Sequence, residues 1–283
     1  MMRAEGLSLS KSYDPVNIDP ARVVKTLTGL RPYRPAGYVV RREEFAGKVL
    51  VHNYGHGGCG VTLSWGCAEQ AVKFLSDRQA GSVAVIGAGV IGLTTARVLQ
   101  QNGWSVRVYA DQFSPDTTSD VAGALWFPVT LYEEQSVSAT FLTMFREAAR
   151  KSYTVFRELM GEFRYGVYPM RFFELAEQKQ DWPGRVEGND LYPYYSRVSG
   201  DMAFNYPDGL FYEAMMIDPS LFLPALMDDI RDAGGQFIPK FFRKPEELIA
   251  LEGDIVVNCT GYGAKALFGD SCLGQGSELG RLD

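Results

Sequence analysis

Apolar and polar positions along this chain alternate between two periods. From Ser82 to Ile86 the run SVAVI is apolar and rich in β-branched residues; it passes through closely spaced glycines into IGLTTARVLQQNG, where apolar residues recur at helical spacing until Gly103. The pattern predicts a strand and then a helix. WSVRVYAD predicts a second strand, which completes a βαβ unit. Upstream, LSWGCAEQAVKFLSD carries a helical pattern that begins near Gly60 to Thr62, directly behind the loop HGGCGVT. Residues 131–160 read as another helix, with Phe141, Phe145, Ala148, Tyr153 and Phe156 among its apolar positions. The stretch 162–215, dense in Tyr, Phe, Met and turn residues, predicts strands and loops of a second layer. Beyond it, IDPSLFLPALMDDIRDAGG predicts a helix with Asp218 as N-cap, Pro219 in the first turn and Gly234 at the end. QFIPKFF, PEELIAL and DIVVNCTG then predict strand, short helix and strand. Alternation of this kind predicts an α/β fold built on a mainly parallel sheet, with no internal repeat.

Composition narrows the function classes. A chain of 283 residues with 46% hydrophobic and 13% aromatic residues can bury a large core, as one domain or two interleaved ones. A net charge of -6 argues against a nucleic-acid surface, since the one dense basic run, RPYRPAGYVVRR, is broken by apolar residues. Small-molecule partners are expected instead. No apolar run reaches the roughly 18 residues of a membrane span, and the first residues lack the apolar core of a secretory signal, so a cytoplasmic, soluble protein is expected. The four cysteines show no CxxC spacing and read as free thiols of a reducing compartment. His52 and His56 are the only histidines. On a strand, four residues span about 13 Å, too far for two ligands to share one ion, so no metal site is expected.

Two glycine-rich turns carry the chemistry. Gly87, Gly89 and Gly92 form GxGxxG at a strand-to-helix turn, and Asp111 ends the next strand nineteen residues after the last of them. The first glycine permits the tight turn, the second lets backbone approach a pyrophosphate, the third lets helix and strand pack, and the acid suits a ribose hydroxyl. The pattern predicts dinucleotide binding. The loop HGGCGVT sets a second helix N-terminus behind glycines, where free backbone N–H groups and the positive dipole end favour negative charge.

With IGAGVIGLTTA, VYADQFSPDTTSDVAGALWFP, DIVVNCTGYGAKALFGD, GLRPYRP and VHNYGHGGCGVTLSWGCA, the chain resembles the D-amino acid oxidase family of FAD-dependent oxidoreductases over most of residues 27–130 and 215–270. In that family the GxGxxG segment comes first and the last two of these motifs stand near the C-terminus; here they precede it. The resemblance therefore implies a circularly permuted and shortened member. It implies a Rossmann-like FAD-binding domain made of 27–130 and 216–283, and a reduced antiparallel or mixed substrate-facing domain made of 1–26 and 131–215.

By the same resemblance, Gly87, Ala88, Gly89, Val90, Ile91 and Gly92 would cradle the FAD pyrophosphate, with Asp111 at the ribose and Gln112 also in the cofactor site. Thr117, Thr118 and the loop Gly123, Ala124, Leu125 would approach the phosphates and the flavin N5 side. Gly57, Gly58, Cys59, Gly60, Val61 and Thr62 would face the flavin pyrimidine, and Thr260 and Gly261 would close the site. Arg31 would clamp a substrate carboxylate, the Gly58 carbonyl would accept from the substrate amine, and O2 is an implied co-substrate. His56 is expected as a supporting residue, since hydride transfer needs no side-chain base.

The sequence also departs from the family. Phe127 stands where a glutamine is common, and two pocket tyrosines have no matching position. Three readings follow: oxidation of a C–N bond in a D-amino acid or related amine, oxidation of a secondary metabolite without a carboxylate, or a non-catalytic flavin-binding subunit.

Overall fold

A computed structural model describes residues 19–128, 131–178, 195–199 and 207–274. Residues 1–18 of the expected substrate-facing domain, and residues 179–194 and 200–206 of the aromatic stretch 162–215, lie outside the described residues.

The main sheet has six strands in the order β1-β2-β9-β3-β4-β8. β1 (Val39–Phe45) and β2 (Lys48–Tyr54) form an antiparallel hairpin, Arg42 opposite Val51. Its two-residue turn places Ala46 at φ 49° and Gly47 at φ 83°, the left-handed pair whose twist matches the flanking strands. The other four pairings are parallel and involve β2, β3 (Ser82–Ile86), β4 (Ser105–Ala110), β8 (Gln236–Pro239) and β9 (Ile255–Asn258). β9, late in the chain, wedges between two earlier strands, so that Val257 lies opposite both Val51 and Val85. Every residue of β9 is buried, which explains its unbroken apolar character apart from Asn258.

Two helices pack together against this sheet and start at the same end of it. α1 (Gly60–Lys73) and α2 (Val90–Gln101) touch along their lengths, with the Thr94 hydroxyl 3.2 Å from the Ser64 carbonyl and 2.9 Å from that of Val90. α3 (Ala139–Leu159) crosses α1 at Gly66, where a Cβ would run into the Ala148 backbone and where the Gly66 N–H also donates to the buried Ser152 hydroxyl at 2.9 Å. The expected helix over 131–160 thus begins later, because Ser138 caps it by accepting from the Phe141 N–H at 3.1 Å. α4 (Pro219–Asp232) has the expected cap, Asp218, accepting from Ser220 N–H at 2.9 Å, and Gly234 turns left-handed behind it at φ 79°. α5 (Ala264–Phe268) follows β9 through a short 3-10 turn.

A smaller sheet contains β5 (Val167–Ala176), β7 (Asp208–Ile217) and β6 (Tyr195–Ser199) in that order, with β6 antiparallel to β7 and Ser196 opposite Phe211. The described residues fall into two compact units, divided after Leu27, Tyr168 and Met215. α3, expected with the substrate-facing residues 131–215, belongs to the larger unit because it docks on α1. Among the described residues no helix is long and apolar enough to cross a membrane, and no cluster of three or more His, Cys, Asp or Glu could hold a metal.

Candidate active site

The parallel strands end in a common crevice, the place where an open α/β sheet with reversed strand order receives ligands. A cavity of about 1070 Å³ lies there within the larger unit. The loops after β2, β3, β4, β8 and β9 all reach it.

The turn after β3 needs its glycines for separate reasons. Gly87 sits at φ 106°, and a Cβ there would meet the Cys259 carbonyl; a Cβ on Gly92 would meet the carbonyl of Gly87. Gly89 differs, since a Cβ on it would enter the cavity wall and find only the Ser119 hydroxyl at 3.0 Å. Ala88, Gly89, Val90 and Ile91 line the cavity with Gly87, while Gly92 stands behind them as the packing glycine. Asp111 and Gln112, just past β4, line it as well.

The second glycine loop meets the first. Gly57 (φ 53°), Gly58, Gly60, Val61 and Thr62 line the cavity, and Cys59 points away into full burial. A Cβ on Gly60 would lie 3.8 Å from Val90 Cγ1, so the first residues of α1 and α2 are neighbours. Neither helix has a side-chain cap from its own N-cap residue or an acidic residue in its first turn. Two positive helix ends therefore open side by side with no counter-charge built in. Among the described residues, the Val90 N–H is capped from another segment, by Ser119 Oγ at 2.9 Å.

The remaining candidates complete the wall. Thr117, Thr118, Gly123, Ala124, Leu125, Thr260 and Gly261 all line the cavity. The two outer threonine hydroxyls have protein partners: Thr117 donates to Asp120 at 2.6 Å and Thr260 to Asn258 at 2.7 Å. Both shape their loops. Ala124 holds φ 47°, a left-handed conformation unusual for a residue with a Cβ, and its carbonyl accepts from Ile217 N–H at 3.1 Å.

Arg31 lies on the loop before β1 and also lines the cavity; among the described residues its guanidinium has no hydrogen bond or ion pair. The loop reaches the glycine turn through Gly57 N–H, which donates to the Pro32 carbonyl at 3.0 Å. His56 is 2% exposed, lies flat on Tyr38 with ring centroids 5.1 Å apart, and leaves Nε2 without a partner among the described residues. Burial pushes its pKa down to about 3, so it is neutral. His52 accepts at Nδ1 from the Asn258 amide at 3.0 Å and donates from Nε2 to Glu43 at 3.1 Å, bracing β2 against β9.

These features fit a long, doubly anionic dinucleotide: paired helix ends for phosphates, an acid past β4, and a glycine at which any side chain would intrude. Residues 82–279 match the family described as FAD dependent oxidoreductase (DAO). The chain belongs to that family. As a member, it is 34% identical over 201 residues to a D-amino-acid oxidase from Streptomyces coelicolor, covering 70% of this chain and 58% of that relative. It is 30% identical over 201 residues to the human D-aspartate oxidase, covering 67% and 55%. The chain thus matches less than two thirds of the length of these relatives. Among solved structures it is similar to glycine oxidase from Geobacillus kaustophilus, with TM-score 0.51 and 13% identity over 68% of this chain and 58% of that one. Iminodiacetate oxidase from Chelativorans sp. gives TM-score 0.50 at 15% identity, over 66% and 57%. Both likenesses concern the fold.

One wall of the cavity in this family member carries no motif of its own. Lys240, Phe241, Phe242 and Arg243, past the end of β8, line it beside Asp111. The available signal was the strand QFIPKFF itself, because parallel neighbours end on the same rim. Ser119 belongs to the wall as well, through a hydroxyl 29 residues along the chain from the α2 start it caps, a separation that leaves no local signature.

Proposed function

We propose that this chain is an FAD-dependent oxidoreductase that oxidises the C–N bond of a D-amino acid or a related amine. The observation that carries the reading is the unpaired Arg31 guanidinium facing the same cavity as the two glycine-rich helix starts. FAD, when bound, supplies a two-electron acceptor for the hydride on the substrate carbon. Gly87 to Ile91 would hold its pyrophosphate, Asp111 its ribose, and Gly57 to Thr62 the electron-rich end of the ring. Arg31 binds the substrate carboxylate through two parallel hydrogen bonds, a geometry that a lysine point charge does not reproduce. The Gly58 carbonyl orients the amine. A neutral, buried His56 supplies no base, and orientation with electrostatics carries the rate.

The test combines spectroscopy and kinetics. Purified protein should show flavin absorbance, bleach with a D-amino acid and recover in air. Arg31→Ala should keep the flavin and lose roughly 30-fold to several thousand-fold in kcat/KM, as expected where bound flavin and substrate desolvate the exposed Arg31 guanidinium in a charge-assisted pair of about 2–5 kcal/mol. Arg31→Lys should recover part of that loss. Flavin that bleaches with a carboxylate-free amine, equally well in Arg31→Ala, would favour the metabolite reading, for which the apolar Phe127 wall speaks; colourless protein would favour a non-catalytic subunit.

We also propose that the element order is a circular permutation of the family arrangement. Its support is that β2 and α1 precede β3 in the chain yet share its sheet and cavity, with only residues 74–81 between α1 and β3.

A further inference from the structure

Arg31 and Arg34 lie three residues apart on one loop and have opposite surroundings. Arg31 faces the cavity without a partner among the described residues, whereas Arg34 Nε donates to Asp270 Oδ2 at 2.9 Å and its Nη1 to the Gly37 carbonyl at 3.1 Å. The Tyr54 hydroxyl, at the end of β2, donates to the same Asp270 oxygen at 2.8 Å. The other oxygen accepts from the Cys272 N–H at 3.0 Å. The Asp270 side chain is only 10% exposed, and Arg34 also fills the space beside Gly55, where a Cβ would come within 2.6 Å of Arg34 Cδ. The main chain between the two arginines is gripped from both sides, by Gly57 N–H on the Pro32 carbonyl at 3.0 Å and Gly274 N–H on the Tyr33 carbonyl at 2.9 Å. The loop has no regular secondary structure of its own, so these contacts set where Arg31 stands relative to Gly58.

We propose that Asp270 is a positioning residue for substrate binding: through Arg34 and Tyr54 it fixes the loop that carries Arg31, and so sets the height of the guanidinium over the Gly58 carbonyl. The inference rests on the reading of Arg31 as the carboxylate clamp. Burial alone would raise the Asp270 pKa, but the Tyr54 hydroxyl and the Arg34 charge outweigh it and hold the carboxyl below its ordinary range, so the anchor stays ionised at neutral pH. Removing that charge leaves Arg34 without its anionic partner and touches the cavity only through Tyr54, which lines it.

The experiment compares wild type, Asp270→Asn, Tyr54→Phe, Arg31→Ala and the double variant Arg31→Ala/Asp270→Asn, all as flavin-loaded protein. Each is measured by steady-state kinetics on the best D-amino acid and by calorimetric binding of 3-phenylpropanoate, which has a carboxylate but no amine. Asp270→Asn should raise KM and the carboxylate Kd about tenfold while kcat stays within about twofold, the sign of lost binding rather than lost chemistry. Tyr54→Phe, a milder change that removes one of the two side-chain donors, should raise both about threefold. In the Arg31→Ala background, Asp270→Asn should shift Kd less than about twofold, because the two act through one contact. An unchanged Kd in Asp270→Asn, or a full tenfold shift on top of Arg31→Ala, overturns the proposal. So does a loss of flavin and melting temperature with KM and Kd unaltered. Should no amino acid be oxidised by wild type, the functional reading fails, and the carboxylate Kd values still decide the role of Asp270.

Discussion

His56 shows how one buried side chain can govern the response to acid. In the folded chain its pKa is pushed down to about 3, whereas an unfolded histidine titrates near 6.5. Above the unfolded value the ring is neutral in both states and its contribution to stability is complete. As pH falls below that value the unfolded chain takes up the proton first, so stability is lost from about pH 6.5 down towards pH 3. At pH 5 the loss is about 2 kcal/mol from this residue. His52, whose pKa is lowered by burial against the opposing effect of Glu43, adds to the slope in the same direction. His56→Phe keeps the stack on Tyr38 and removes the titration, so urea unfolding at pH 8 and pH 5 should differ by about 2 kcal/mol less in the variant than in wild type. An identical pH slope would show that the ring is hydrated or protonated in the folded state. Gly89 makes the complementary case for the cavity. Gly89→Val should leave the far-ultraviolet circular dichroism unchanged and strip the flavin absorbance, because its side chain would stand at the Ser119 hydroxyl, in the space proposed for the pyrophosphate.

Helix packing gives the sharpest expectation among the elements. Ala is the better helix former by about 1 kcal/mol, yet Gly66→Ala should destabilise the protein by about 2–3 kcal/mol, since the added methyl meets the Ala148 backbone and must drive α3 off α1. A urea midpoint equal to or above wild type would mean that the two helices are not in contact at that point. The sequence carried β3, α2, β4 and α4 openly, because each combines one clean period with glycine or proline punctuation at its ends. The start of α1 was legible for the same reason, the glycines of HGGCGVT. Pairing was less legible. That Val257 would lie between Val51 and Val85 depends on contacts across some two hundred residues, and no local pattern encodes which strand becomes the neighbour. The same holds for the site: the glycines announce themselves, whereas Lys240 to Arg243 and Ser119 join it only through the fold.

For the whole molecule, the link between α1 and β3 is the informative place. Ser76 to Gly81 are exposed, and a Cβ on Gly81 would find nothing within 4 Å. Insertion of ten Gly and Ser residues between Gln79 and Ala80 should cost about 1 kcal/mol or less, from loop closure alone, and leave flavin content intact. The same insertion between Gly57 and Gly58 should abolish flavin retention. Comparable losses at the two positions would count against a permuted order, in which the first junction is a late and dispensable connection. The two rims of the main sheet have a consequence of another kind. An open strand edge invites a stranger chain to add its own strand, which is how ordered aggregates begin. On one rim β1 carries Arg41, Arg42, Glu43 and Glu44 in succession, and on the other β8 is four residues long and ends in Pro239, which has no N–H to offer. Recruitment of further strands is thereby discouraged at both rims, by charge on one side and by brevity on the other, and among the described residues the sheet holds six.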